Sequence, residues 1–261
     1  MHLETWQWAC GIGAALLVGI SKTGVPGVGI LVVPLLAATF GGRLSIGIML
    51  PMLIMGDVFA VAWYKRHAQW DKLVSLLPWV VVGLAIGTVT LWKTGKMAGT
   101  KDLIGFMMGI LVLIMLALTF LRTFVGEKLT PKSPVGTAGT GISAGFSTMV
   151  SNAAGPIMRI YLSAHKLPKQ QFMGTIAWYF FIINTSKLPV YMILSFLNPG
   201  NPIVTKSSMM FNLAMFPAIL VGVFAGKWLL PRLSQKSFDT AVLGLAALGA
   251  GKLIFDYFIH H

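Results

Sequence analysis

The chain has 261 residues, of which 10% are charged and 56% hydrophobic, and its 20 Lys+Arg against 7 Asp+Glu give a formal net charge of +13. Soluble proteins carry about 25% charged residues, so this composition excludes a water-facing globular enzyme, a disordered chain and a disulfide-rich secreted domain, and leaves a polytopic membrane protein. The excess of Lys and Arg suits loops that orient a membrane protein and meet anionic lipid, whereas a nucleic-acid partner would need a soluble basic face that the chain lacks.

Hydrophobic segments fall at about 6–40, 45–64, 73–92, 103–124, 135–164, 172–197, 207–230 and 240–259, with short loops holding most of the charge. The opening Met1-His2-Leu3-Glu4 lacks the positive stretch of a cleavable signal, so the first segment is expected to belong to the mature fold. As one helix, Trp6 to Phe40 would run on the order of 50 Å, well beyond a hydrocarbon core of about 30 Å. The expected break is Ser21-Lys22-Thr23-Gly24-Val25-Pro26-Gly27-Val28-Gly29, where Pro26 lacks an amide donor and the glycines admit unusual torsions. Irregular backbone at membrane depth is tolerated only inside protein or beside a watery cavity. Lys22 is therefore a candidate ligand, with snorkelling to an interface as the alternative, and Ser21 and Thr23 are candidate donors.

The second segment contains Asp57, the one carboxylate well inside an expected span. Its two readings are a structural ion pair, with Lys187 or Lys252, and a protonatable coupling group. In the third segment Pro78-x4-Gly83-x3-Gly87 has the spacing of a close helix contact. The fifth segment repeats the interruption of the first, with Ser147, Thr148, Ser151, Asn152, Gly155 and Pro156 in an apolar run, and Arg159 one turn later. The sixth holds Asn184 and Lys187 deep among apolar neighbours, where binding and charge compensation compete with snorkelling. The seventh repeats the third as Pro217-x4-Gly222-x3-Gly226, and Lys227 and Lys252 read as interfacial or structural charges.

These correspondences predict an all-α integral membrane protein made of two repeats, residues 1–127 and 131–261. Each has a broken or re-entrant first helical segment followed by three transmembrane helices. With hairpins at segments one and five the repeats are inverted. Lys65, Arg66, Lys72, Arg122, Lys128, Lys132, Lys166, Lys169, Arg232 and Lys236 then share one side, against Arg43, Lys93, Lys96, Lys101 and Lys206 on the other. The positive-inside rule makes the richer side cytoplasmic and places both termini outside.

Half-helices starting near Gly27 and Gly155 would aim free amides and a positive dipole end at the interior, which suits an anion. Lys22, Arg159 and Lys187, with Ser21, Thr23, Gly24, Gly27, Gly29, Ser147, Thr148, Ser151, Asn152, Gly155 and Asn184, are the expected binding set, and Asp57 the candidate coupling group. Ser and Thr in membrane helices commonly bond the preceding turn instead, which is the plainer role for each hydroxyl. No cofactor or metal is expected, because no His, Cys and carboxylate fall at ligand spacing, and Gly24-x2-Gly27-x-Gly29 lacks the context of a dinucleotide fingerprint. The residues alone lead to a small-anion carrier, with an intramembrane enzyme as a rival that has no nucleophile and base to support it.

The sequence also resembles the TauE/SafE sulfite-exporter family, part of the toluene-sulfonate uptake permease group, over nearly its whole length. The resemblance rests on Gly19-x7-Gly27-x-Gly29-x4-Pro34-Leu35-Leu36, on Gly56-Asp57 and Ala62 leading into Tyr64-Lys65-Arg66-His67-x2-Trp70, on Asn184-x2-Lys187-Leu188-Pro189-x-Tyr191, and on the Pro217 motif. It implies a secondary transporter of sulfite or organosulfonates in the bacterial inner membrane, exporting by alternating access, with uptake of the same anions as the alternative. Membrane lipid and the anion are the implied partners. Proton coupling, uniport, a monomer and a homodimer all stay open.

Overall fold

The computed structural model describes residues 3–23, 27–97, 102–125, 133–229 and 235–259. Of the expected site residues, Gly24 and the side chain of Thr23 lie outside the described residues, as do loop cations Lys101, Lys128, Lys132 and Arg232 and the side chain of Lys236.

Every regular element among the described residues is helical. In the first half α1 (Thr5–Thr23) and α2 (Gly29–Phe40) flank the break, followed by α3 (Gly42–Tyr64), a 3-10 turn (Lys65–His67), α4 (Trp70–Lys96) and α5 (Leu103–Val125). In the second half α6 (Pro134–Ser151) and α7 (Gly155–Ser163) flank the other break, followed by α8 (Lys169–Leu197), α9 (Lys206–Leu229) and α10 (Gln235–Ile259). Six helices among the described residues, α3, α4, α5, α8, α9 and α10, are long and apolar enough to cross a membrane. Large apolar side chains such as Phe196, Leu213, Phe224 and Phe255 are exposed on their outer faces, which is the surface a bilayer requires.

The breaks occur where the residues dictate. Gly27 takes φ +112°, a left-handed region that glycine enters without steric cost. At the other break Asn152 closes α6 with φ 57°, a torsion Asn tolerates better than most residues. Ser133 starts α6 by accepting from the Gly136 amide at 3.1 Å, with Pro134 preset for the first turn.

Each broken segment folds back on itself. Gly11 packs on Phe211 and Gly19 on Ile219–Val223, so α1 runs alongside α9 in the same direction. The chain then returns, and Gln7 Nε2 donates to the Thr39 carbonyl at 3.3 Å. Likewise Gly141 lies on Trp79, Gly145 on Val80 and Leu84, and Met149 beside Gly87, so α6 follows α4. The return leg brings the Tyr161 hydroxyl to the Lys72 carbonyl at 3.1 Å. Backbone approaches backbone along both pairs. A Cβ on Gly83 or Gly145 would enter the Ile142 or Val80 carbonyl, and one on Gly222 would enter Leu16, which is the close contact the small-residue spacing predicts.

The centre is an antiparallel α3–α8 pair. The Gln69 amide donates to Thr175 Oγ1 at 2.9 Å, Trp178 Nε1 donates to the Lys65 carbonyl at 3.3 Å, and Arg122 at the end of α5 donates to Ser163 Oγ at 2.7 Å. These bonds gather Lys65, Arg66, Lys72, Arg122, Lys166 and Lys169 at one end of the molecule. At the other end the Gly42 amide donates to Asp102 Oδ2 at 2.6 Å. Arg43, expected as a loop cation at that end, is instead 5% exposed and donates to the carbonyls of Asn201 and Leu91, both at 2.6 Å. The Asn201 carbonyl stands in a loop outside any helical ladder, and the guanidinium supplies it with a donor.

Candidate functional site

A cavity of about 590 Å³ lies where the two breaks meet. It reaches from them toward Thr119, Phe172 and Thr240, at the end of the molecule that carries Lys65, Arg122 and Lys169. Stripes at helical spacing form its central walls: Met49, Leu53, Asp57 and Ala60 on α3, and Met173, Ile176 and Phe180 on α8.

Ser21, Lys22, Gly27 and Gly29 come to the wall from the first break, and Asn152, Gly155 and Arg159 from the second. The breaks touch directly, for a Cβ on Gly27 would lie 3.5 Å from a terminal nitrogen of Arg159. The helices that begin here are α2 and α7, and no side chain caps the first turn of either. The Ile30 and Leu31 amides donate to the Gly27 and Val28 carbonyls at 3.0 and 3.1 Å and Pro156 has no amide hydrogen, so each first turn brings chiefly the partial positive charge of a helix start to the cavity.

Lys22 Nζ lies 2.6 Å from Asp57 Oδ1 and 4.7 Å from the centroid of the Phe180 ring. Its stem passes over Gly56, where a Cβ would stand only 2.9 Å from Lys22 Cγ. Asn184 Nδ2 donates to the other carboxylate oxygen, Asp57 Oδ2, at 2.7 Å. Both residues line the cavity, and of the two the Lys22 side chain, with 12% exposure against 1% for Asp57, is the more open. The expected ion-pair partners of Asp57 are thus corrected: Lys252 pairs with Asp256 on its own helix, and Lys187 bonds elsewhere.

Several expected ligands do not line this cavity. Lys187 is 1% exposed and donates to the Thr148 carbonyl at 2.9 Å, Thr148 Oγ1 at 2.9 Å and Asn152 Oδ1 at 2.6 Å. Ser151 Oγ donates to the Ser147 carbonyl at 2.8 Å, the local bond usual for a membrane serine. Ser147 instead borders a separate groove between α5 and the α6–α7 hairpin. The reason is the direction of the helices. At these depths α1 and α6 end while α2 and α7 begin, so carbonyls crowd on one side of each break and amides on the other. Lysines settle at the carbonyl ends, Lys22 in the last turn of α1 and Lys187 against the last turn of α6.

Tyr191 is not among the expected site residues, yet its hydroxyl donates to the Met149 carbonyl at 2.7 Å. The signal is present in the sequence: Asn184, Lys187 and Tyr191 stand at i, i+3 and i+7 on one face of α8. Phe180 extends that stripe into the cavity wall.

Broken helices beside an internal cavity, six long apolar helices and an apolar exposed exterior define a multi-pass membrane protein. The family model described as Sulfite exporter TauE/SafE matches residues 11–253, and the chain belongs to that family, one of membrane transporters. No curated protein and no solved structure matches the chain.

Proposed function

We propose that the protein is a secondary transporter that exports small sulfur-containing anions, sulfite or organosulfonates, across the bacterial inner membrane, and that the cavity between the breaks is its anion site. The observation that carries this reading is the meeting of Gly27 with Arg159, which places the starts of two helices, a guanidinium and the Lys22 ammonium around one space. Such an array replaces an oxyanion's hydration with amide and cationic donors. The apolar wall of Phe172, Ile176 and Phe180 leaves room for an organic group behind a sulfonate.

Residues 1–127 and 131–261 are read as inverted repeats. Support comes from their hairpins, which enter from opposite ends of the molecule: Gln7 and Thr39 meet near Gly42, whereas Tyr161 and Ser163 lie beside Lys72 and Arg122. Rocking of one repeat against the other then alternates access to the site. In this arrangement the cavity faces the basic, cytoplasmic end, the loading side for export. An interior-negative potential assists that direction by about 2.3 kcal/mol per charge per 100 mV.

Proteoliposomes holding the purified protein in known orientation test the proposal. Labelled sulfite or ethanesulfonate trapped on the cytoplasmic face should leave faster than from protein-free vesicles, and unlabelled anion on the far side should accelerate the exchange. Flux of neither anion in either direction overturns the reading. Arg159→Gln should reduce the flux by about tenfold or more, the loss expected when a charge-assisted contact worth about 1.5–3 kcal/mol is removed.

A further inference from the structure

Helix α6 ends at Ser151, where the Asn152 amide donates to the Thr148 carbonyl at 3.0 Å as the last backbone bond of the turn, and the Met149 carbonyl lies beyond it. Helix α8 adds side-chain donors to both carbonyls. Lys187 reaches the Thr148 carbonyl and hydroxyl, both at 2.9 Å, and Tyr191 reaches the Met149 carbonyl at 2.7 Å. The same ammonium donates to Asn152 Oδ1 at 2.6 Å, while Asn152 Nδ2 donates to the Ile46 carbonyl of α3 at 3.2 Å. Asn152 is thereby pinned between α8 and α3 at the turn leading into α7.

An ammonium has three hydrogens to donate, and all three of those on Lys187 are engaged. Lys187 and Tyr191 are 1% and 0% exposed, and neither borders the cavity. Lys22 differs on both counts, since it is partly exposed and forms part of the wall. The two lysines that look alike in the sequence therefore do different work.

We propose that Lys187 is a positioning residue: together with Tyr191 it straps the α6–α7 turn to α8 and sets the start of α7, with Gly155 and Arg159, against the cavity, without touching the anion. This role rests on the anion-site reading above. It makes the α6–α7 tip and α8 one body during transport, so the motion that changes access runs elsewhere. The cationic head also offsets the negative end of α6, which would otherwise face the anion across the turn.

The test is a double-mutant cycle on the purified full chain in nanodiscs, with sulfite and ethanesulfonate as probes. Binding is read by calorimetry and backbone hydrogen exchange over residues 148–158 by mass spectrometry. Lys187→Met and Asn152→Ala should each weaken binding by about tenfold, and the double variant should fall within about threefold of the weaker single, because both remove one strap. Exchange at the tip should quicken in Lys187→Met and in the milder Tyr191→Phe, which removes no charge. A double variant weakened by the product of the singles, about a hundredfold, overturns the proposal, since Lys187 would then act on the anion by itself. If the unaltered protein binds neither probe, the anion-site reading fails and exchange alone decides the strap. Faster exchange at the tip sustains it, and unchanged exchange in both Lys187→Met and Tyr191→Phe refutes it. Should Lys187→Met not fold, exchange in Tyr191→Phe decides the matter in the same way, quickened for the strap and unchanged against it.

Discussion

Lys22 and Asp57 illustrate what one buried pair demands of its surroundings. A carboxylate with 1% exposure persists in a membrane interior only with compensation, which comes from the Lys22 ammonium and the Asn184 amide. Lys22→Met should cost about 3–5 kcal/mol because it strands the carboxylate, and Lys22→Met/Asp57→Asn should recover much of that loss. Denaturant unfolding in detergent checks both variants. The pair also tests the coupling role proposed for Asp57. If the carboxylate takes up a proton as the anion arrives, Asp57→Asn flattens the pH dependence of proteoliposome flux, and a fully retained dependence removes that role. Asp57 stands out in the sequence as a lone carboxylate in an apolar run, but its partner does not. Lys22 lies 35 residues away across a break, and no local spacing links the two.

Between elements, glycine at the crossing points decides how closely helices approach. Gly145 lies against the Val80 carbonyl and Gly141 against Trp79, so α4 and α6 pack backbone to backbone. Without a hydrophobic driving force inside lipid, such contact supplies much of the association. Gly145→Val should therefore destabilise the protein by about 1–3 kcal/mol through overpacking. Gly139→Ala, at a position with no atom within 4 Å of a new Cβ, should leave melting unchanged or slightly raised. Thermal unfolding of the two variants side by side measures the difference. This level is legible in advance, for Gly83-x3-Gly87 and Gly222-x3-Gly226 announce close contact by spacing alone. The identity of the partner helix is not legible, because a small-residue face fits any other small-residue face.

Over the whole molecule, charge and topology agree. Lys65, Arg66, Arg122, Lys166 and Lys169 gather at one end through bonds from α8 to the 3-10 turn and the loop after it and from α5 to α7. By the positive-inside rule we propose that this end is cytoplasmic. In a Cys10→Ser background, single cysteines at Lys65 and Lys169 should react with a membrane-impermeant maleimide only from the cytoplasmic face, and cysteines at Asn201 and Lys206 only from the opposite face. Labelling of Lys65 and Asn201 from one face would refute this topology. Arg43 shows the limit of counting charges in a sequence. Its place beside other loop cations suggests solvent, but it caps carbonyls inside the fold.

The sequence by itself determined the membrane class, the number and place of the hydrophobic segments, the two breaks and the family resemblance. Hydropathy, proline and glycine act locally, so they can be read along the chain. Which cations face the cavity was decided only in three dimensions. Lys22 and Lys187 are chemically the same residue in similar apolar settings, and the difference between an ion-paired ammonium at the cavity wall and a fully bonded one away from it depends on acceptors brought from distant helices. For Lys187 they are the Thr148 carbonyl and hydroxyl and the Asn152 amide oxygen, which only the packing of the end of α6 against α8 brings within reach.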